Sequence, residues 1–189
     1  MSTFEIRPAC AEDLAGITAI YADAVSNGTA TYELEPPPHA EMRARFDHIT
    51  ASGYPYLVAM QDGELVGYAY ANAFRARPAY RFIVENSVYV APHAKGKGVG
   101  TGLMRALIAD CERLGFRQIL AVIGDGSPRS MSVKLHERLG FTHAGTLKGS
   151  GWKHGRWLDT VLMQLPLNGG ETTAPDPDSM PDRRFQAGL

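Results

Sequence analysis

The sequence predicts an α/β domain with about seven strands and about four helices. The first observation is the alternation of two periodicities: runs of two-residue or continuous apolar character give way to segments whose apolar residues recur every three or four positions. The second is their order, which reads strand, two helices, three strands, helix, strand, helix, two strands. The third is the stretch VENSVYVAPHAKGKGVGTGL from Val84, which passes from a strand through a basic, glycine-rich turn straight into a helix. The chain has 189 residues, 44% of them hydrophobic, enough for one globular domain with a single core.

Phe4 to Pro8 alternates apolar and polar and stops at a proline, which suits a short first strand. Ala11 to Val25 carries Leu14, Ile17, Ile20, Tyr21 and Val25 at helical spacing, and Asn27-Gly28 is its stop. Thr29 to Pro38 is too rich in proline for a helix and is read as a semi-rigid connector, which either walls a binding site or simply joins two helices. His39 to Ala51 is a second helix with Met42, Phe46 and Ile49 on one face. Tyr56 to Met60 and Glu64 to Asn72 form a hairpin about Asp62-Gly63. A loop from Phe74 to Tyr80 then leads into the strand Phe82 to Val90.

Leu103, Met104, Leu107 and Ile108 give the helix after the glycine turn, about Val99 to Leu114, an apolar face. Gln118 to Ile123 reads as a buried strand, and the turn at Gly124 to Pro128 opens a helix from about Arg129 to Leu139. Phe141 to Leu147 and Trp157 to Leu165 are the last strands, with a loop between them holding Gly149, Gly151, Lys153, His154 and Gly155. From Asn168 the composition turns to Gly, Thr, Pro, Asp and Ser without an apolar period. The expected organisation is therefore one domain, residues 1–167, and a disordered tail, 168–189.

Composition narrows the function. A net charge of −1 leaves no basic excess for a nucleic-acid backbone. No segment approaches the roughly 18 apolar residues of a membrane span, and the first residues lack signal-peptide character, so a cytoplasmic protein without membrane association is expected. Cys10 and Cys111 read as reduced structural thiols, and the six scattered His show no metal-ligand spacing.

The turn Lys95-Gly96-Lys97-Gly98-Val99-Gly100 builds an anion site, because the first N–H groups of the following helix are unpaired and its dipole is positive there. The spacing lacks the lysine of a Walker loop, and the third glycine of GxGxxG would fall on Thr101 or Leu103. What remains, basic-x-x-Gly-x-Gly after a Val-Tyr-Val strand, resembles the acetyl-CoA pyrophosphate loop of the GNAT superfamily of N-acetyltransferases. A second match follows in order: Ser132 to Phe141, SVKLHERLGF, resembles the last motif of that superfamily. More narrowly, VENSVYV from Val84, Leu135-His136-Glu137 and KHGRWLD from Lys153 resemble the phosphinothricin and methionine sulfoximine acetyltransferases.

The resemblance, which covers about Phe4 to Leu165, implies a central mixed twisted sheet and acetyl-CoA as co-substrate, with no metal. It implies that the backbone of Val88, Tyr89 and Val90 pairs with the pantetheine arm, and that Gly96, Lys97, Gly98, Val99, Gly100 and Thr101 hold the pyrophosphate. Glu85 matches the acidic residue assigned as base; without that match, its own surroundings in the sequence read as those of a strand-end carboxylate paired with Arg81 or Arg77. Arg75, Arg77, Glu85, Asn86 and Ser87 match substrate-contacting positions, and an arginine fork suits a carboxylate or phosphinate, though a solvated basic loop is the plain alternative. Tyr32 would close the pocket from the connector.

Two positions depart from the superfamily pattern. His136 stands where many members have a Tyr that protonates the departing thiolate, and is a candidate acid or a packed helix histidine. Arg129 stands where an Asn often holds the cofactor. The implied activity is direct acetyl transfer to the free amine of a small amino acid analogue with an anionic head, in a homodimer. Transfer to another amine, such as a protein N-terminus, a lysine or a polyamine, and a non-catalytic acyl-CoA sensor are the rivals.

Overall fold

The computed structural model describes residues 4–127 and 130–188. Seven strands, β1 (Glu5–Pro8), β2 (Tyr56–Gln61), β3 (Glu64–Ala73), β4 (Ile83–Val90), β5 (Gln118–Ile123), β6 (Thr142–Lys153) and β7 (Arg156–Pro166), form one sheet in the order β1-β2-β3-β4-β5-β7-β6. The helices are α1 (Leu14–Asn27), α2 (His39–Ala51), α3 (Val99–Arg113), α4 (Met131–Arg138) and α5 (Met180–Gln186). Every neighbouring pair is antiparallel except β4 and β5. That pair is parallel because α3 carries the chain from the end of β4 back to the start of β5. The sheet is therefore mixed, as expected.

The helical periodicities bury the faces they specify: Leu14, Ile17, Ile20, Tyr21 and Val25 on α1, and Leu103, Met104, Leu107 and Cys111 on α3. The first expected helix opens instead with a 3-10 turn at Ala11–Asp13. Asp13 tightens it by accepting from the Cys10 N–H at 2.8 Å and from both terminal nitrogens of Arg7 at 2.8 Å. Stacked tyrosines run across the sheet, with Tyr68 between Tyr56 (5.9 Å between centroids) and Tyr89 (5.2 Å), and Tyr21 set edge-on to Tyr89.

Three expectations change. α4 starts at Met131, where the Ser130 hydroxyl caps it by accepting from the Val133 N–H; Arg129 lies outside the described residues. The glycine-rich segment expected as a loop continues both strands. Gly151 pairs with Leu158, Trp152 with Trp157 and Lys153 with Arg156 around the two-residue turn His154-Gly155, while a register shift between Leu147 and Gly151 absorbs two extra residues of β6. Positive φ at His154 (50°) and Gly155 (70°) gives the twist that such a hairpin turn needs.

The tail is the third change. Arg117 is buried, and its guanidinium donates to Gly170 O (3.0 and 2.7 Å), Thr173 O (2.8 Å) and Thr173 Oγ1 (2.6 Å). Met180 N donates to Leu114 O at 2.9 Å, and Asp182 pairs with Arg81 at 2.9 Å. Composition suggested disorder because the tail has no apolar period. It is held instead by the hydrogen-bonding capacity of a buried arginine on the domain.

One feature of the sheet matters most for function. β4 pairs with β5 only from Ile83↔Gln118 to Asn86↔Ala121, although β4 continues to Val90 and β5 to Ile123. The two strands part there. Ser87 to Val90 keep their pairing to β3 on the other side, so the backbone edge facing β5 is left open.

Candidate active site

A cavity of about 340 Å³ occupies the parting of β4 and β5. Its walls are Glu85 to Tyr89 of β4 and Ala121 to Gly124 of β5 and the turn after it; Ala30, Thr31 and Tyr32 of the connector, Tyr70 of β3, Ser132 and His136 of α4, and Thr160 of β7 complete them. Because strand side chains alternate, Glu85, Ser87 and Tyr89 face one side of the sheet and Asn86 and Val88 the other. Tyr89 meets Tyr21 of α1 on the first side, whereas Asn86 meets Met104 of α3 and His136 of α4 on the second. The cavity passes between the two through the gap in the ladder.

The start of α3 lies beside the end of β4, since a Cβ at Gly100 would stand 3.5 Å from Val90 Cγ2 and 3.5 Å from Leu135 Cδ2 of α4. Gly98 precedes the helix at φ 88°, a left-handed conformation that a side chain would strain. The first hydrogen bond into the helix is Gly102 N–H to Gly98 O at 3.0 Å, so the amides of Val99, Gly100 and Thr101 precede any intrahelical partner. Lys95 and Lys97 are exposed beside them. Open amides, an exposed positive flank and a free strand edge leading away from them fit a pyrophosphate joined to an extended arm carrying amides.

Glu85 is half-buried, and none of the ion pairs among the described residues includes it. The pairing with Arg81 that the sequence left open is not made, because Arg81 Nε is bound to Asp182 Oδ1 at 2.9 Å and its guanidinium lies over the rings of Phe82 and Phe185. Burial without a cation raises the Glu85 pKa above its ordinary value. A carboxylate held in this way takes up a proton more readily than one in water.

His136 is 1% exposed, and both its ring nitrogens are engaged. Nδ1 lies 2.7 Å from Ser132 O, which can only accept, and Nε2 lies 3.0 Å from Asn86 Nδ2. Burial lowers the pKa of the ring. Both ring nitrogens thus have partners, Nδ1 a backbone acceptor, and burial disfavours the charged ring.

Arg75 and Arg77 are exposed and do not line the cavity. They follow directly on the end of β3, where Asn72 and Ala73 pair with Glu85 and Val84. The Arg75 guanidinium lies over Phe74 (5.0 Å) and Tyr80 (5.7 Å). Glu85, Asn86 and Ser87 all line the cavity; the two arginines lie outside it, on the loop that follows β3.

The connector, which reads in the sequence as either a site wall or a plain link, lines the cavity through Ala30, Thr31 and Tyr32, and distant residues anchor it there. Tyr32 accepts a hydrogen bond from Thr160 Oγ1 at 2.9 Å, and Thr160 is bound in turn to Ser150 at 2.6 Å. Lys153, 4% exposed, donates to Thr31 O at 2.9 Å, and His154 Nε2 lies 3.1 Å from Gly28 O. The β6–β7 hairpin therefore carries the connector over the cavity from a distance of more than a hundred residues, a pairing to which no local pattern corresponds.

A family model described as the acetyltransferase (GNAT) family matches residues 17–141. A phosphinothricin N-acetyltransferase from Alcaligenes faecalis is 54% identical over 165 residues, 87% of this chain and 83% of that relative. An L-methionine sulfoximine/L-methionine sulfone acetyltransferase from Pseudomonas paraeruginosa is 43% identical, over 86% of this chain and 94% of the relative. Among solved structures, a GNAT superfamily phosphinothricin acetyltransferase from Sinorhizobium meliloti in complex with AcCoA superimposes with a TM-score of 0.92 at 52% identity, covering 96% of this chain and 97% of that one.

Proposed function

The chain belongs to the GNAT acetyltransferase family, and from that premise we propose that it acetylates the free amine of a small amino acid analogue of the phosphinothricin or methionine sulfoximine type, with Glu85 as the general base. Acetyl-CoA is the co-substrate and supplies the activated acyl carbonyl. The observation that carries the reading is Glu85 itself, a half-buried carboxylate without a cation, facing a cavity that opens where two strands part.

The roles follow from position. The amides of Val99, Gly100 and Thr101, with Gly96, Lys97 and Gly98, bind the pyrophosphate, and the free edge of Val88, Tyr89 and Val90 aligns the arm. The amine of the acceptor has a pKa near 8 and is mostly ammonium at neutral pH. Glu85 takes its proton, directly or through a water, so that the lone pair can attack. No cysteine or serine nucleophile is needed, and Cys111 is buried with its thiol pKa pushed up to about 12. Arg75 and Arg77, on the exposed loop after β3, receive the anionic head of the acceptor.

Thiol release from acetyl-CoA over phosphinothricin, methionine sulfoximine, methionine sulfone, lysine, spermidine and a short peptide tests the reading. Saturable release with the first three is expected. Release with lysine, spermidine or the peptide alone would overturn the acceptor assignment and leave the cofactor reading intact.

Two further features belong to this reading. Trp152 and Trp157 form an exposed edge-to-face pair on the hairpin that ends the sheet, with centroids 5.2 Å apart, and we assign this face to a homodimer contact. Trp157→Lys should convert a dimer to a monomer in sedimentation velocity; a wild-type monomer removes the assignment. Free thiols at exposed Cys10 and buried Cys111 suit the reducing cytoplasm.

A further inference from the structure

We propose that Asn86 accepts a hydrogen bond through Oδ1 from an N–H group of a bound reactant, and that His136 is the positioning residue that turns the amide to do so. The argument begins at Ser132. Its carbonyl lies 2.7 Å from His136 Nδ1 and can only accept, so Nδ1 carries the ring proton. The ring is 1% exposed and meets the Phe141 ring edge-to-face at 4.8 Å, surroundings that disfavour a charged imidazolium. Nε2 is therefore bare and must accept.

Its partner at 3.0 Å is Asn86, which must present its amide N–H there. The same Nδ2 lies 3.6 Å from Met104 Sδ, a weak acceptor. The opposite orientation would set the amide oxygen against the lone pair of Nε2. With the amide so fixed, Oδ1 is buried and has no hydrogen-bond partner among the described residues. A buried acceptor in that state is a net cost to the fold. Such an expense is tolerated where a ligand completes the bond.

Asn86 is 6% exposed, lines the cavity and forms the last β4–β5 pair before the strands part. A donor arriving in the gap meets Oδ1 there. Two sources carry the required N–H: the secondary amides of the pantetheine arm and the primary amine of the acceptor. The assignment rests on the cavity being the acyl-transfer site, but the orientation of the amide does not.

Two measurements decide it. In wild-type protein at pH 7, ¹⁵N–¹H correlation of the imidazole should show His136 as the neutral Nδ1–H tautomer. An Nε2–H tautomer or an imidazolium would turn the Asn86 oxygen toward the ring and overturn the proposal, whether or not any acceptor is acetylated. The second compares Asn86→Leu with wild type for the Kd of acetyl-CoA by calorimetry and the KM of the acceptor at saturating acetyl-CoA. A rise in Kd of about tenfold assigns the pantetheine amide; a similar rise in KM with Kd unchanged assigns the amine. If neither moves, the oxygen has no reactant partner and the proposal fails. His136→Phe keeps a ring of similar size and should raise the same constant, with little added effect in the double variant. Additive effects would remove His136 from the role.

Discussion

The ring of Tyr32 stands where a side chain on Gly151 would have to be. A Cβ at Gly151 would lie 2.6 Å from Tyr32 Cε2 and 2.8 Å from Cδ2 and Cζ. Across the cavity, a Cβ at Gly124 would lie 3.0 Å from the same ring and 2.5 Å from Thr29 O. Two glycines, 27 residues apart in the chain by subtraction of their numbers, thus leave a slot in which the connector is seated over the site.

Gly151→Ala should push Tyr32 out of that slot. Its φ is an ordinary one, so the effect is steric, not backbone strain. The KM of the acceptor should rise about tenfold or more while the Kd of acetyl-CoA stays within about twofold, because relieving the overlap displaces the Tyr32 ring by about an ångström, at a cost on the order of 1–3 kcal/mol. Steady-state kinetics with each substrate varied in turn checks it. A matched rise in both constants would mean general unfolding.

Glu85→Gln should lower kcat by about 10²–10⁴ and leave acetyl-CoA binding unchanged, since it removes a proton acceptor and little volume. Its stability should move the other way. The folded pKa of Glu85 is raised above the ordinary 4.5 by burial, so the folded state favours the protonated form. That preference is fully present below the unfolded pKa and is lost as pH rises through the folded pKa. At pH 8 the Gln variant should therefore melt no lower than wild type, and any advantage should vanish near pH 4. A variant that melts lower at pH 8 would contradict the burial argument.

Asp13→Ala should destabilise the fold by about 2 kcal/mol, because the carboxylate, 7% exposed, both caps the turn before α1 and forms a bidentate pair with Arg7. Here the folded pKa lies below the ordinary 3.8, chiefly through the Arg7 hydrogen bonds. The contribution is present above the unfolded pKa and is lost as pH falls through the folded one. Urea melts at pH 7 and in the acid range check both statements: the gap between variant and wild type should shrink below about pH 3.8.

Deleting residues 168–189 should lower the melting temperature and expose the amides around Leu114 and Arg117 to hydrogen exchange. Arg117, 8% exposed, would lose all four of its described hydrogen bonds, to Gly170 and Thr173. A buried, unpaired guanidinium costs several kcal/mol, on the order of 3–5. Arg117→Met in the truncated chain should recover part of the loss. An unchanged melting temperature on truncation would mean that the tail contributes nothing to stability.

Up to residue 167 the sequence by itself determined the main elements and their order. The apolar spacing of α1, α2 and α3 depends on residues a few positions apart, and the bounds of α2 and β5 match the local signals at both ends. The glycine-rich turn before α3 was legible for the same reason, since its glycines and lysines are contiguous in the chain. Glu85, Asn86 and Ser87 could be named from one strand. What those side chains meet was decided only when the strand was placed in the sheet. The parting of β4 from β5 after Asn86 sets the cavity, α4 brings His136 onto Asn86 and commits both its nitrogens, and the hairpin carries Tyr32 over the site. The tail was misread for a related reason, because its anchor is a single arginine some fifty positions earlier. Periodicity records which face of an element is apolar; it does not record which distant polar group will satisfy a buried donor, and in this protein those long-range pairings shape the site.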